Sequence, residues 1–302
     1  MPEVRTLGAG TERPRTLVVG CGGAGCNTLR ALPESEGLDR LALNDLPHLS
    51  MAGVRRRLFV QKAGLREVAA LDLRTVRSLA TTAEQAVAVE LGDADVVVPL
   101  AGLGGDVGSW GASLVARVAV LKGALSFAVV TTPFSAEGLA RKGVAADALE
   151  SLRAHAHGVL ALANDGLLRV APHLPILRAF EVLSRIACQP VLDLLRVLTR
   201  ENIPILKAVF RGAREWQLGI GEGGRDHPEL GAVESAFRSP WITRDPREAR
   251  EVLVLLASPE RDDGLVKRIL YDVDLRAPKA SVTSGTFAEP GEGMRATVLV
   301  GF

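Results

Sequence analysis

The sequence predicts an α/β protein in which a parallel sheet flanked by helices is followed by a long central helix and a smaller α+β domain. Short apolar runs, such as Thr16–Gly20, Asp95–Ala101 and Ser126–Thr131, alternate with helical patterns. Such alternation is typical of βαβ units whose sheet is covered on both faces. Glycine-rich loops, Gly20–Gly25 and Ala101–Ser109, directly follow two of these runs. The chain has 302 residues, 47% of them hydrophobic, which suffices for two domains.

The remaining elements divide the chain into four parts. We predict a flexible polar N-terminus over 1–14, a first domain over 15–173, a central helix with its connecting loop over 174–204, and a second domain over 205–302. An interruption of the central helix is expected at Pro190, since proline removes a backbone donor. In the second domain, Glu289–Gly293 is predicted to be the hairpin turn between two strands. The further predicted strands are Leu41–Asn44, Gly158–Ala163, Val252–Ala257, Ala280–Phe287 and Met294–Gly301, and the further predicted helices are Asn27–Leu32, Thr82–Leu91, Leu114–Leu121 and Gly264–Tyr271.

Composition excludes several classes of protein. The net charge of +1 gives no basic excess that would favour nucleic acid. Cys21, Cys26 and Cys188 fit no metal-binding or disulfide pattern, so we interpret them as reduced thiols. The sequence begins without an apolar signal segment, and its longest apolar run, Leu114–Val130, contains charged residues. We therefore expect a cytoplasmic protein with no metal site and no membrane insertion.

The two glycine loops indicate phosphate binding. Gly20, Gly22 and Gly25 satisfy G-x-G-x-x-G between a strand and a helix, where a helix N-terminus offers free amides. A tight turn without a ligand is the structural alternative for one such loop. A second glycine loop after a neighbouring strand favours a ligand with several phosphates, bound at the carboxyl ends of the strands.

Several segments resemble motifs of the tubulin/FtsZ superfamily and occur along the chain in the family's order. Ala101–Ala112 is similar to the signature loop G-G-G-T-G-[ST]-G, and Thr132–Arg141 is similar to P-F-x-x-E-G-x-x-R. The other resembling segments are Val18–Asn27, Asn164–Leu168, Ala179–Phe180, Leu218–Glu222, Ser239–Pro240 and Arg295–Gly301. The resemblance extends from about residue 15 to residue 302 and implies a Rossmann-like GTPase domain that binds GTP or GDP, with Mg²⁺ as the accompanying cation.

The resemblance also implies the nucleotide-binding residues. Glu137 and Arg141 would contact the ribose, although a surface ion pair four residues apart is the alternative. Phe180 would stack on guanine, unless it is a core aromatic. Asn27 would face the phosphates, unless it caps a helix. The implied set is Gly20, Gly22, Gly23, Ala24, Asn27, Gly102, Gly104, Gly105, Asp106, Val107, Gly108, Ser109, Pro133, Glu137, Arg141, Asn164, Phe180 and Ser184.

The sequence departs from the family pattern at the phosphates and at the base. Asp106 and Val107 replace the family glycine and threonine of the signature loop, which adds negative charge and removes a hydroxyl donor. Ser184 replaces the asparagine that reads the base. The loop over 64–71 has lost the family's glycines, and Arg66 is its candidate phosphate contact. These changes predict weak or absent nucleotide binding as one outcome.

The loop after the central helix departs furthest. The family pattern N-x-D-x-x-D supplies acidic groups to the nucleotide of the next subunit, whereas residues 199–209 contain no aspartate. Arg200, Asn202 and Ile205 stand at the three positions, and Glu201 is the candidate catalytic substitute. We therefore predict impaired GTP hydrolysis.

Three functions stay open, two within the resembled family and one outside it. The first is a GTP-binding protein of the cytoskeletal or cell-division type, whose partner is itself or an FtsZ homologue through longitudinal contacts. The second is a non-hydrolysing scaffold or regulator of an FtsZ filament. The third is an NAD(P)-dependent oxidoreductase with Asp39 or Asp45 as the ribose acid. Because the sequence stops at Phe302, we expect no C-terminal tether peptide.

Overall fold

A computed structural model of the chain describes residues 3–8, 10–34, 37–45, 54–59, 83–224, 227–260, 264–291 and 293–302. The described residues form two compact units. One, the glycine-loop unit, lies within Pro14–Val159 and Pro175–Cys188. The other, the C-terminal unit, lies within Met1–Arg13, Leu160–Leu174 and Gln189–Phe302. The predicted loop over 64–71, with Arg66, lies outside the described residues.

The glycine-loop unit is a parallel sheet with helices between its strands. Its strand order is β6-β5-β2-β3-β4, and each neighbouring pair is parallel. Strands β2, β5 and β6 are almost wholly buried apolar runs, as strands covered on both faces require, whereas β4 is half-exposed. The elements are β2 (Thr16–Cys21), α1 (Gly22–Ala31), β3 (Leu38–Asn44), β4 (Arg56–Phe59), α2 (83–91), β5 (Val96–Gly102), α3 (Asp106–Leu121), β6 (Leu125–Thr132) and α4 (Leu139–His155).

The chain leaves the glycine-loop unit through β7 (Gly158–Ala163) and α5 (Asp165–Val170), and later through the long helix α6 (Ile176–Val197). The predicted central helix is thus confirmed. Pro190 lies inside α6, so the expected interruption is wrong. Side chains on both sides of the proline hold the last turns: Gln189 Nε2 donates to Asp193 Oδ1 at 2.9 Å, and buried Asp193 also pairs with Arg295 at 2.5 Å.

The C-terminal unit is a mixed sheet in the order β1-β10-β9-β11-β8, with helices packed on one face. Alternate residues of β9 and β11, such as Val252, Val254 and Val298, are buried against two of these helices. The elements are β1 (Val4–Thr6), α7 (Ile203–Gly212), β8 (Glu215–Glu222), α8 (Pro228–Phe237), β9 (Glu251–Ser258), α9 (Gly264–Arg276), β10 (Ser281–Ala288) and β11 (Arg295–Gly301).

Two predictions for this unit are wrong. β10 and β11 do not form a hairpin: β10 pairs in parallel with β9, and β11 lies between β9 and β8. The chain does reverse direction between β10 and β11, as the polar residues between them predict, but such a signal cannot specify which strands pair. The N-terminus, predicted to be flexible over 1–14, contains β1, whose Val4–Thr6 pair with Val282–Ser284 of β10.

Candidate nucleotide site

The two glycine loops lie side by side at the carboxyl ends of neighbouring strands. β2 and β5 are parallel and in register, with Cys21 opposite Ala101. A Cβ on Gly22 would lie 2.7 Å from the Gly108 nitrogen, and a Cβ on Gly108 would lie 2.7 Å from the Gly102 oxygen. The predicted juxtaposition is therefore confirmed, and only glycine permits so close an approach.

The helices that follow these loops open with free amides. α1 begins at Gly22 and α3 begins at Asp106, and the first N–H groups of a helix have no intrahelical partner. Gly23 and Gly105 face open space, since no heavy atom lies within 4 Å of a Cβ built on either. Gly23 and Ala24 are exposed. The arrangement offers a concentration of backbone donors to an anion such as a phosphate.

The second glycine loop contains the two residues, Asp106 and Val107, that depart from the resembled motif. Asp106 is exposed in the first turn of α3, where a carboxylate interacts favourably with the helix dipole. Val107 is buried, and the Ser109 hydroxyl accepts a hydrogen bond of 3.0 Å from the Gly104 N–H. The serine therefore supports the loop itself, while the aspartate places a negative charge beside the free amides.

The segment after β6 lies against the second glycine loop. A Cβ on Gly104, whose φ is +95°, would lie 2.7 Å from Pro133 Cγ and 3.0 Å from the Arg141 carbonyl oxygen. Glu137 accepts a 2.7 Å hydrogen bond from the Phe134 N–H and forms an ion pair with Arg141. The ion pair is the alternative that the spacing allowed. Arg141 is 59% exposed, so its guanidinium remains accessible to a ligand.

Phe180 and Ser184 lie on the part of α6 that belongs to the glycine-loop unit. Phe180 packs edge-on against Phe134, with ring centroids 5.8 Å apart, yet it is 42% exposed. It is therefore not a core aromatic, and a ring face is available for stacking. Ser184 accepts a 3.3 Å hydrogen bond from Thr28 of α1, which ties α6 to the helix after the first glycine loop.

The structure corrects one alternative for Asn27 and one for the oxidoreductase. Asn27 is exposed within α1 and accepts a 2.7 Å hydrogen bond from Arg30, so it caps no helix. Asp39 lies at the start of β3 and pairs with Arg56 at 3.5 Å, at the strand end opposite the glycine loops. Asp45, by contrast, follows the end of β3.

Two predicted residues belong to the C-terminal unit. Asn164 immediately precedes α5, and its side-chain oxygen is buried without a hydrogen-bond partner among the described residues. Glu201 lies on a short 3-10 turn, Arg200–Asn202, after α6. A Cβ on Gly10 would lie 2.2 Å from Glu201 Oε2, so the carboxylate contacts the chain's own N-terminal segment. Sequence reasoning gave no signal for that contact.

The N-terminal segment also contacts the other two residues of the Arg200–Asn202 turn. The side-chain nitrogen of buried Asn202 donates to the Gly8 oxygen at 3.1 Å and to the Val197 oxygen at 2.9 Å. The Arg200 N–H donates to the Glu12 oxygen at 3.0 Å, and their side chains pair at 3.3 Å. Arg200, Glu201 and Asn202 are thus all engaged with the N-terminal segment.

The cysteines are inert by environment. Cys21, Cys26 and Cys188 are buried free thiols. Burial raises the pKa of Cys26 to about 11 and that of Cys188 to about 12, and it raises the pKa of Cys21 well above its usual range. Within the described ranges, no His, Cys, Asp and Glu cluster suits a metal, and no helix is both long and apolar enough to cross a membrane.

Fold and site together define a two-unit α/β protein with paired phosphate-type loops. Residues 15–172 match the model of the "Tubulin/FtsZ family, GTPase domain". The chain is 32% identical over 299 residues to cell division protein FtsZ 1 of Archaeoglobus fulgidus, covering 94% of this chain and 80% of that protein. It is 32% identical over 291 residues to its Pyrococcus horikoshii counterpart, covering 92% and 77%. The chain therefore belongs to the tubulin/FtsZ family.

Solved structures agree with this assignment. An empty FtsZ dimer from M. jannaschii superposes with a TM-score of 0.83 at 26% identity, covering 96% of this chain and 88% of that one. CetZ2 from Haloferax volcanii, solved as a GTPγS-bound protofilament, gives a TM-score of 0.77 at 20% identity and shares the fold, covering 95% and 92%. The chain is therefore an FtsZ-like member of the family.

Proposed function

We propose that this protein binds GTP or GDP, with Mg²⁺ on the phosphates, through the paired glycine loops, and that it hydrolyses GTP poorly. The carrying observation is the packing of Gly22 against Gly108, which brings the first turns of α1 and α3 to one edge of the sheet. Those first turns would donate to phosphate oxygens. Arg141, Glu137 and Phe180 would hold the nucleoside.

The proposal of weak hydrolysis rests on charge and on missing acids. A phosphoryl transfer depends on positioning and on electrostatic stabilisation of the developing negative charge. Asp106 opposes that charge, and residues 199–209 contain no aspartate to orient a water molecule. Glu201, the carboxylate of that loop, contacts Gly10. Binding and hydrolysis are therefore separable: the loops bind, and the acids that would complete catalysis are gone.

A second candidate function is that of a non-hydrolysing partner of an active FtsZ. The favouring observation is that Arg200, Glu201 and Asn202 all contact the N-terminal segment. A turn so engaged would contribute to a longitudinal contact as structure rather than as catalyst. In either case we propose that the protein acts in the cytoplasm and assembles through the face that FtsZ-like proteins use, with itself or with a homologue.

Thermal denaturation with GTP, GDP, ATP and NAD tests the binding proposal. A ligand that binds only the folded state raises the melting temperature, by an amount that grows with its concentration over Kd. GTP and GDP should raise it, and NAD should leave it unchanged. The Arg141→Ala variant should lose most of the shift, whereas Arg211→Ala, an exposed arginine on α7, should keep it. A shift with NAD alone would overturn the proposal in favour of the oxidoreductase.

A further inference from the structure

The C-terminal unit contains a polar cavity that the proposed nucleotide site does not use. It has a volume of about 290 Å³ and lies between the N-terminal segment and the end of α6. Its lining comprises Leu7, Gly8, Gly10, Thr11, Arg13, Arg196, Val197, Leu198, Thr199 and Thr286. The volume is enough for a small polyatomic ion with its bound water, since a water molecule occupies roughly 30 Å³ of the liquid.

The walls of this cavity are fixed by hydrogen bonds on both sides. Asn202 and Arg200 hold the backbone oxygens of Gly8 and Glu12, as described above. Leu7 is buried, and its N–H donates to the Ser284 oxygen at 2.7 Å. The cavity is therefore bounded by two anchored backbone segments of one unit, whereas the side chains of Arg13 and Arg196 in its lining are exposed.

Charge and hydrogen-bonding capacity in the cavity both favour an anion. Two of the lining residues, Arg13 and Arg196, are cationic, and none of the lining residues named above is acidic. Arg13 donates to the Leu195 oxygen at a long 3.4 Å. The hydroxyl of Thr199, a residue only 8% exposed, has no hydrogen-bond partner among the described residues. A buried hydroxyl without a partner is costly, and a bound acceptor would satisfy it.

We propose that this cavity binds a small oxyanion, of the class of inorganic phosphate, through Arg13, Arg196 and the Thr199 hydroxyl. Arginine suits such a ligand because its planar guanidinium donates two parallel hydrogen bonds to one oxyanion. Glu201 limits the site, since its carboxylate lies next to Thr199 at Gly10. The anion therefore binds toward the arginine end of the cavity, with Thr199 as its inner donor.

Calorimetric titration of the full chain with inorganic phosphate tests this site, with chloride of matched ionic strength as the blank. Arg196→Ala should raise the Kd for phosphate roughly tenfold or more, because that is the usual contribution of one charge-assisted hydrogen bond to binding. Arg211→Ala removes the same charge from a helix of the same unit and should leave Kd unchanged. Phosphate that binds only at the glycine loops would show the same Kd in the wild type and in both variants, because both variants leave those loops intact. An unchanged Kd in Arg196→Ala would therefore overturn the proposal.

Two further variants test whether the Thr199 hydroxyl binds a ligand or only supports the fold. Thr199→Val keeps the shape but removes the unpartnered hydroxyl, so the free protein should melt no lower than the wild type while phosphate binds several-fold more weakly. Glu201→Gln removes the neighbouring negative charge and should tighten binding. Equal phosphate affinity in the wild type and in both variants would overturn the assignment of Thr199 as a donor and of the cavity as the site.

Discussion

Asp106 has opposite consequences for stability and for binding. In the first turn of α3 its carboxylate complements the helix dipole, and Asp106→Asn should therefore lower the free energy of unfolding by about 0.3–1 kcal/mol. The same change removes a negative charge beside the proposed phosphate site. We predict that it strengthens GTP and GDP binding roughly fivefold, since like charges a few ångströms apart in water repel by about 1 kcal/mol.

Titration calorimetry measures the binding change, and urea denaturation measures the stability change. Asp147→Asn is the matched control, because Asp147 is an exposed aspartate on α4, away from the glycine loops. That variant should leave both quantities unchanged. Weaker nucleotide binding in Asp106→Asn would mean that the aspartate contributes to the site, for example by binding the nucleotide's cation.

The buried thiols predict a pH dependence of stability. Burial raises the pKa of Cys26 from 9.0 to about 11, so the folded state keeps its proton where the unfolded state loses it. Stability from this group is complete below pH 9 and declines as the pH rises toward 11. We predict that Cys26→Ala makes the fall in melting temperature between pH 9 and pH 11 shallower. An identical slope in wild type and variant would contradict the buried, neutral thiol.

At the scale of elements, two glycine substitutions distinguish the effect of the contact between the glycine loops on stability from the effect of the loops on ligand binding. Gly22 has φ of +68°, and its Cβ would lie 2.7 Å from the Gly108 nitrogen. We predict that Gly22→Ala costs at least about 1–2 kcal/mol of stability, since a left-handed residue with a side chain is strained and the second loop must also move. It should lose the nucleotide-induced thermal shift as well.

Gly23→Ala is the comparison for that variant. Gly23 faces open space, so its added methyl meets no protein atom within 4 Å. The variant should unfold at the same urea concentration as the wild type, while the methyl obstructs a phosphate and reduces the nucleotide shift. If Gly22→Ala is as stable as Gly23→Ala, the loops do not depend on each other in solution.

The sequence predicted those elements whose signals are local. Strand β5 and the glycine loop after it were visible, because a buried apolar run ending in glycines has few other interpretations. Pairing between distant segments was not visible. β10 and β11 are neighbours in sequence, yet β9, a strand from further up the chain, lies between them. The turn at 289–293 carries no information on the strand partners β9 and β8, which both precede β10 in the sequence.

The candidate site shows the same division. Gly22, Gly102 and Arg141 could be proposed from motifs, because each motif is short and contiguous. The contact between Gly10 and Glu201 could not, since it joins segments 191 positions apart and involves a glycine with no motif. Likewise the local chemistry of Pro190 predicts a break in α6, whereas the helix is continuous, and Asp193 beyond the proline accepts hydrogen bonds from Arg295 and Thr297 of the same unit.

At the scale of the whole molecule, the proposed defect in hydrolysis depends on assembly. In an FtsZ-like arrangement the turn after the central helix of one copy meets the nucleotide of the next, so catalysis would require both copies. We predict that phosphate release per molecule stays low and does not rise with protein concentration. Loss of a positioned acid typically costs roughly 10²–10⁴-fold in rate, and Asp106 further opposes the transition state.

A phosphate-release assay over a wide range of protein concentrations measures this. Glu201→Ala should leave the low rate unchanged, because its carboxylate contacts Gly10, and Glu260→Ala, an exposed glutamate of the same unit, serves as its control. Turnover that rises steeply with concentration would mean a working site between copies. Turnover that is lost in Glu201→Ala but kept in Glu260→Ala would identify Glu201 as the acid that replaces the missing aspartates. Sedimentation of the same samples measures assembly independently of turnover. A chain that sediments as filaments without releasing phosphate would act as a structural member of a filament rather than as a GTPase that drives its disassembly.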